Sequence, residues 1–203
     1  AKDLANKFGK AKVITANYMF ANIDNLNDFI LGVKELLSDE GLFIIQTGYH
    51  PRQFEKRMFD YIYHEHFSYF TLKTLKTLFN KFNLDIVDAV FNDPKGGSLR
   101  VTTKNHNDKN DLSKVEKMIL NEENNNYNSK IIFNKLIDEL EIEKNKLIEY
   151  LSSMMKEGKK IAGLGASHST TTLMFEFELH KYLEFIIDDN SKKHGTYSPN
   201  KHI

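Results

Sequence analysis

Strand and helix patterns alternate through the first 105 residues of this 203-residue chain. Residues 12–16 and the apolar run 42–45 have the composition of short buried strands, and an amphipathic helix pattern follows each of them. Residues 84–103 predict an antiparallel hairpin that turns at 92–97, where Asn, Asp, Pro and Gly cluster. This order predicts an α/β fold, the second half of a doubly wound sheet whose last strand is antiparallel.

Two helix starts are marked by residues whose side chains can accept hydrogen bonds from exposed backbone N–H groups. Asp24 or Asn25 precedes the first helix pattern, which Gly41 is expected to end, and Thr71 precedes the second. The polar residues after the second strand predict a loop there.

The second half of the chain has a different organisation. Residues 111–157 predict a long helical region with a break at 124–126. From Gly158 onward the pattern reads strand, glycine turn, helix and a second strand at 183–187, which is one βαβ unit of a partial Rossmann-like domain. We therefore divide the chain into 1–105, a helical connector at 106–157, and 158–203.

Composition excludes several classes of function. With 28 basic and 28 acidic residues the formal charge is zero, so no nucleic-acid or membrane partner is predicted. The absence of cysteine excludes disulfides and thiolate zinc sites in this chain. No signal peptide or spanning run is visible, which predicts a cytoplasmic protein. The chain starts in what reads as the middle of a helix and stops directly after a turn-like segment at 198–200, so we expect a piece of a longer protein. Its exposed sheet edge would favour self-association.

The stretch 61–70 concentrates side chains that can transfer protons. Tyr63, His64, Glu65 and His66 are consecutive, and a carboxylate beside an imidazole can fix its tautomer. An aromatic-packed structural loop is the alternative. A His-x-His pair can also bind zinc, but no third ligand lies nearby in the sequence, and no metal site is predicted.

A glycine turn marks a second candidate site. Gly163-x-Gly165 follows a strand pattern, and Ser167 and Ser169 could add hydroxyl donors at a helix N-terminus that favours phosphate. An ordinary strand-to-helix turn is the competing interpretation. Asp188 follows the next strand, where it could bind a ribose or sugar hydroxyl or cap a turn.

Several of these segments together resemble the sugar-nucleotide C-methyltransferases, S-adenosylmethionine-dependent enzymes that build branched deoxysugars. The resemblance is carried, in order, by residues 16–22 (Ala-Asn-Tyr-Met-Phe-Ala-Asn), 63–66 (Tyr-His-Glu-His), 68–70 (Ser-Tyr-Phe), 96–100 (Gly-Gly-Ser-Leu-Arg), 163–166 (Gly-Leu-Gly-Ala) and 172–173 (Thr-Leu). The family has a zinc module, a class I methyltransferase domain and a C-terminal Rossmann-like domain. The resemblance implies that 1–105 is the C-terminal half of the methyltransferase domain, after the glycine loop that binds most of the S-adenosylmethionine, and that 158–203 is a truncated Rossmann-like domain.

The resemblance also implies roles for particular residues. The substrate would be a nucleotide-linked 4-keto-deoxysugar, with His66 as the base at C3 or a proton relay, Glu65 as its orienting partner or a sugar ligand, and Tyr63 as a donor to a substrate oxygen. Asn17 and Asn22 would contact S-adenosylmethionine. The substrate-binding residues would be His64, Gly97, Ser98, Arg100, Gly163, Gly165, Ser167, Ser169 and Asp188.

Three positions differ from the pattern of that family. Asn22 stands where a histidine is usual, Gln46 where a glutamate is common, and Lys95 where a histidine is frequent. A non-catalytic nucleotide-binding or assembly module is therefore an alternative function. A third is an epimerase-like enzyme that uses the same His and Tyr residues without methyl transfer.

Overall fold

A computed structural model describes residues 1–199 and 203, so His202, expected from the sequence to face solvent, lies outside the described residues. The chain forms two compact units. Unit 1 comprises Ala1–Lys56 and Glu65–Phe133, and unit 2 comprises Arg57–His64 and Asn134–Ile203.

Unit 1 contains a four-stranded mixed sheet in the order β1-β2-β4-β3. Its strands are β1 (Ala11–Asn17), β2 (Leu37–Gly48), β3 (Leu84–Asn92) and β4 (Ser98–Asn105). β1 and β2 are parallel, whereas β4 is antiparallel to both β2 and β3. The predicted α/β class and the antiparallel hairpin are thereby confirmed.

The helices of unit 1 are α1 (Lys2–Phe8), α2 (Leu26–Leu36), α3 (His50–Glu55), α4 (Leu72–Asn80), α5 (Ser113–Asn124) and the first turn of α6 (Lys130–Lys156). Two of them, α2 and α4, begin where side-chain chemistry predicts. The Asn25 side chain accepts from the Asp28 N–H at 3.0 Å, and Thr71 exchanges bonds with Thr74 in a capping box. Both predicted caps are confirmed, as is the break near residue 125.

Two predictions for this unit are wrong. Gly41 does not end α2, because β2 already begins at Leu37, whose register partner is Ala11 of β1. A Cβ at Gly41 would approach the Leu37 side chain to 2.7 Å, so the glycine permits close packing within a strand. The predicted polar loop after β2 contains α3, which has Pro51 in its first turn.

The core of unit 1 is rich in aromatic rings. Phe20, Phe43 and Phe79 are fully buried, with centroids 5.9–6.4 Å apart. Aliphatic side chains from the strands and from α2 and α4 complete this core, and the fully buried ones are Ile30, Leu37, Ile45, Leu72, Leu75, Leu84, Leu99 and Val101. Strand alternation and helical periodicity therefore direct these residues to a shared interior.

Unit 2 is a small βαβ unit together with most of α6. β5 (Ala162–Leu164) and β6 (Phe185–Ile187) are parallel, and α7 (His168–Glu176) connects them, as the sequence predicts. A compact apolar cluster includes Phe59, Leu151, Met174, Phe177 and Leu179.

The division at residues 105 and 157 stays a prediction. No helix in the described part of the chain is long and apolar enough to cross a bilayer. Within residues 1–199 and 203, His, Asp and Glu side chains form no group of three that could hold a metal ion.

Candidate functional site

The carboxyl edge of the unit 1 sheet gathers several predicted site residues. β1 ends at Asn17, whose register partner is Gln46 near the end of parallel β2. β4 runs the opposite way and starts at Ser98, opposite Gly48. Ligands of open α/β sheets bind outside the carboxyl ends of their parallel strands. Asn17, Gly97 and Ser98 therefore lie at one potential binding edge.

The turn that enters β4 requires glycine at position 97. Gly97 has φ +142°, and a Cβ there would lie 2.7 Å from Cβ of Arg52. Arg52 itself lies over the Phe91 ring, with its guanidinium carbon 5.0 Å from the centroid. Arg100 is exposed two residues after Ser98, on the same face of β4.

The segment that carries His66 is attached to the turn that follows β1. The Ala21 carbonyl accepts hydrogen bonds from the Phe67 and Ser68 N–H groups, at 2.9 and 3.2 Å. This turn includes Asn22 and is anchored by fully buried Phe20. The backbone of unit 1 thus brings the segment bearing His66 to the predicted cofactor residues.

His66 also lies within an aromatic environment. Its ring packs edge-to-face with Tyr69, with centroids 6.1 Å apart. His66 and Glu65 are both half-buried, so they are partly accessible to solvent. An accessible imidazole in a fixed loop has the chemistry needed to accept a proton from a bound substrate.

Tyr63 and His64 belong to unit 2, so the predicted four-residue cluster is divided between the two units. In unit 2, the rings of Tyr63 and His64 each lie 6.2 Å from that of His168, the first residue of α7. Thr172 donates to the Ile62 carbonyl at 2.8 Å. These contacts attach residues 57–64 to α7.

The glycine turn of unit 2 is built as the sequence suggests. Gly165 has φ +89°, which favours glycine, and its N–H donates to the Ile187 carbonyl at 2.7 Å. Gly163 lies in β5, where a Cβ would be 3.3 Å from Ile186. The Ser167 hydroxyl lies 3.0 Å from that of Ser169 at the start of α7. Hydroxyl groups and backbone N–H groups therefore converge on one turn.

Asp188 is already engaged by this turn. Its carboxylate accepts from the Lys193 ammonium at 2.9 Å and from the Ala166 and Asn190 N–H groups at 2.8 and 2.9 Å. The hydrogen bond from Lys193, followed by those from the backbone, lowers the pKa of Asp188 to about 2. Asp188 therefore holds the loop after β6 against the glycine turn.

A cavity of about 770 Å³ lies beside that turn in unit 2. Ser167, Asp188 and Lys193 supply polar walls, and Phe175 and Tyr197 supply aromatic ones. This volume is within the usual range for small-molecule sites.

Sequence reasoning assigned no role to three further candidate residues of unit 1. Tyr18 and Lys95 meet at the carboxyl edge of the sheet, and both have left-handed backbone angles that the sequence does not signal. His50 is buried among Phe54, Tyr69 and Phe133, and burial lowers its pKa to about 4. The neutral His50 ring has a buried Nδ1 that makes no hydrogen bond to a described residue. Pro51, directly after His50, was the available sequence signal, because proline favours the first turn of a helix.

Comparison with known proteins identifies two matching families. Residues 1–89 match a family described as methyltransferase domain, and residues 93–203 match one described as C-methyltransferase C-terminal domain.

One relative and one solved structure are similar to this chain to different extents. C-methyltransferase NovU of Streptomyces niveus is 29% identical over 204 residues, covering 100% of this chain and 49% of NovU, so the chain spans about half the length of that relative. The B. subtilis m1A22 tRNA methyltransferase TrmK is 16% identical, with 84% of this chain and 60% of TrmK covered and a TM-score of 0.30. The second family model covers more than half of the residues, and the chain belongs to the C-methyltransferase C-terminal domain family.

Proposed function

We propose that the chain is the second half of an S-adenosylmethionine-dependent C-methyltransferase that acts on a nucleotide-linked keto-deoxysugar. The observation that carries the proposal is the attachment of the His66 segment to the Ala21 carbonyl, at the carboxyl edge of a methyltransferase-family sheet. This attachment supports a base beside a cofactor-binding turn. The sugar nucleotide itself rests on the resemblance of the motifs.

The proposed cofactor residues fit the chemistry of S-adenosylmethionine. Asn17 and Asn22 are exposed, and their side-chain amides make no hydrogen bonds to described residues. An amide offers both a donor and an acceptor, which suits the polar groups of that molecule. When bound, S-adenosylmethionine supplies an electrophilic methyl group.

His66 is proposed to remove the proton from C3 of the sugar. The neighbouring ketone acidifies that C–H bond, whose electrons become the enolate, and the imidazole accepts the proton. Glu65 would orient the ring, and Tyr63 would donate a hydrogen bond to a substrate oxygen. General-base catalysis of this kind contributes about 10²–10⁴-fold to a rate.

The nucleotide is proposed to bind in unit 2, near the turn between Gly163 and Ser169. The hydroxyls of Ser167 and Ser169 and the cavity beside them support this assignment. Asp188 already accepts three hydrogen bonds from the protein. To bind a ribose or sugar hydroxyl, it would use its remaining lone pairs or give up one of these three donors. In unit 2, His64 is proposed to contribute from the segment attached to α7. In unit 1, the proposed substrate-binding residues are Gly97, Ser98 and Arg100.

Turnover of the complete protein tests this proposal. With dTDP-4-keto-6-deoxyglucose and S-adenosylmethionine, we expect product heavier by one methylene, and His66→Ala should lower kcat by about 10²–10⁴-fold. His106→Gln is the matched control, since His106 follows the end of β4 at the opposite edge of the sheet. Failure of the wild-type protein to methylate any keto-sugar nucleotide would exclude the proposal.

A non-catalytic nucleotide-binding module is the second candidate. The inability of Asn22 to titrate and the cavity of unit 2 favour it. Calorimetric titration with dTDP separates the two when combined with the turnover assay. Binding of dTDP without any methyl transfer by the complete protein would support the module.

A further inference from the structure

Three segments of unit 1 meet through side-chain hydroxyl and amide groups at the carboxyl edge of the sheet. Tyr18 directly follows β1, Gln46 is near the end of β2, and Ser98 begins β4. The Tyr18 hydroxyl oxygen lies 2.7 Å from Gln46 Nε2 and 3.1 Å from Ser98 Oγ.

The directions of these hydrogen bonds are determined by counting protons. Ser98 donates its single hydroxyl proton to the Pro94 carbonyl at 2.7 Å, so it has none left for Tyr18. Tyr18 must therefore donate to Ser98, and it accepts from the Gln46 amide. Because the Tyr18 hydroxyl proton is donated to Ser98, Tyr18 has no proton to donate to a substrate, and we treat it as a positioning residue.

Lys95 is held over the ring of that tyrosine. Its ammonium nitrogen lies 4.3 Å from the Tyr18 ring centroid, a cation–π distance. Both residues have left-handed backbone angles, φ 52° for Tyr18 and 55° for Lys95. The left-handed backbone region is unfavourable for residues other than glycine, asparagine and aspartate, and such backbone strain concentrates at functional sites.

The charge of Lys95 is not neutralised within the described part of the chain. Lys95 is exposed and makes no ion pair with a described carboxylate, whereas Arg52, near the same turn, pairs with Asp93 at 3.5 Å. A positioned cation without an acidic partner is suited to an anion that arrives with a ligand.

We propose that Lys95 stabilises the enolate oxygen of the substrate, with Tyr18 as the residue that positions it. This inference rests on the proposed function. When the C3–H bond breaks and His66 accepts the proton, the electron pair becomes the enolate and its negative charge appears on the former ketone oxygen. The ammonium of Lys95 pairs with that oxygen without giving up a proton. Because the charge develops during the reaction, the interaction lowers the barrier more than it strengthens substrate binding.

Exchange of the C3 hydrogen with solvent deuterium measures this step without methyl transfer. We would follow it by NMR with the complete protein and dTDP-4-keto-6-deoxyglucose, in the absence of S-adenosylmethionine. Lys95→Gln should lower the maximal exchange rate about 10²-fold and change the half-saturating substrate concentration by less than about twofold. Lys95→Arg should restore most of the rate, and Tyr18→Leu should lower it about threefold through loss of the cation–π contact.

Lys12→Gln is the matched control. Lys12 is an exposed lysine near the start of β1, at the opposite edge of the same sheet, and its substitution should leave exchange unchanged. Thermal unfolding of each variant verifies that unit 1 is folded. The role of Lys95 would be overturned if Lys95→Gln exchanged at the wild-type rate, or if the substitution weakened only substrate affinity. Neither result would contradict the proposed function. Absence of exchange and of methyl transfer in the wild-type protein would overturn both this inference and the proposed function.

Discussion

The sheets of the two units differ in how much apolar surface they bury. In unit 1, four strands pack against helices, and Phe43, Ile45 and Val101 are fully buried. In unit 2, two strands form the whole described sheet, and Leu164 on β5 is 84% exposed, with Phe185 on β6 at 51%. Apolar burial is the main driving force of folding, so unit 1 should be the more stable unit.

Two carboxylates show the same difference in polar chemistry. Glu122 in unit 1 is 1% exposed and accepts from the Tyr49 hydroxyl and from the Leu72 and Lys73 N–H groups, at 2.7–2.9 Å. Asp188 in unit 2 also accepts three hydrogen bonds, but in a surface loop. Hydrogen-bond number alone does not set the cost of losing an acceptor, because water reaches the partly exposed Asp188 side chain (15%) more readily than buried Glu122.

The largest expected effect is removal of a ring from the unit 1 core. Phe79→Ala should destabilise unit 1 by about 3–5 kcal/mol, since it leaves a cavity between Phe20 and Phe43. Urea unfolding followed by circular dichroism measures this change. Phe175→Ala, at an exposed aromatic of α7, should cost less than about 1 kcal/mol. Equal losses of unfolding free energy for the two substitutions would show that burial of the ring does not determine its contribution to stability.

The next effect is expected from the buried carboxylate. Glu122→Ala should destabilise unit 1 by about 3 kcal/mol, because one buried hydroxyl and two N–H groups at the start of α4 lose their acceptor. The control is Glu123→Ala, which removes only an exposed ion pair with Lys73 and should cost about 0–1 kcal/mol. If the two variants unfold at the same urea concentration, Glu122 has no special role.

A smaller effect distinguishes the units by pH. In unit 1, the hydrogen bond to Asp85 raises the pKa of His106 above its usual 6.5. Burial alone would raise the pKa of Asp85, but hydrogen bonds from Asn110, His106 and the Asn107 N–H together lower it. The raised His106 pKa stabilises unit 1 fully below about pH 6.5, and this contribution is lost as the pH rises through the folded-state pKa.

Unit 2 should respond in a different pH range. The pKa of Asp188 is lowered from its usual 3.8 to about 2, which stabilises unit 2 at pH values above 3.8. That contribution is lost as the pH falls toward about 2. Between pH 6 and 8, amide hydrogen exchange should therefore become slightly faster around β3 and β4 and stay unchanged around the glycine turn of unit 2, apart from the intrinsic pH dependence. His106→Gln should abolish the change in unit 1. If amide exchange around β3 and β4 still became faster between pH 6 and 8 in the variant, a titratable group other than His106 would be responsible.

The smallest effect on stability is expected at the surface of β5. Leu164→Ser should leave the unfolding free energy within about 0.5 kcal/mol, because the side chain is already largely in water. The same substitution should reduce self-association, which exposed apolar strands favour. Sedimentation velocity at several concentrations measures this. Lys160→Ser, beside the same strand, is a polar control. Unchanged association after Leu164→Ser would exclude this surface as its cause.

Local chemistry made much of the fold predictable. Asn25 and Thr71 cap helices through their own side chains, so the signal for these helix starts lies within a few residues. The start of β2 at Leu37 depends on pairing with Ala11, a distant residue, and the helix pattern across it gave the wrong boundary. Propensity loses to tertiary pairing at such positions.

The candidate sites were predictable only in part. The sequence pointed to the glycine turn, and Gly165 has the positive φ that such a turn needs. It did not show that His64 and His66 fall in different units, because adjacency in sequence carries no information on which unit a loop follows. Nor did it assign a role to Tyr18 of the 16–22 motif or to Lys95, because the left-handed angles that bring them together are uncommon for these residue types.

Identifying the atom that receives the methyl group tests whether the protein is a C-methyltransferase with His66 as its base. The complete protein would be supplied with dTDP-4-keto-6-deoxyglucose and S-adenosylmethionine labelled with ¹³C at the methyl carbon, and the product examined by NMR. We expect a labelled methyl bonded to the ring carbon beside the ketone, formed by the wild-type protein and by Lys12→Gln, and lost in His66→Ala. A methyl group on oxygen or nitrogen, or an undiminished product from His66→Ala, would contradict it.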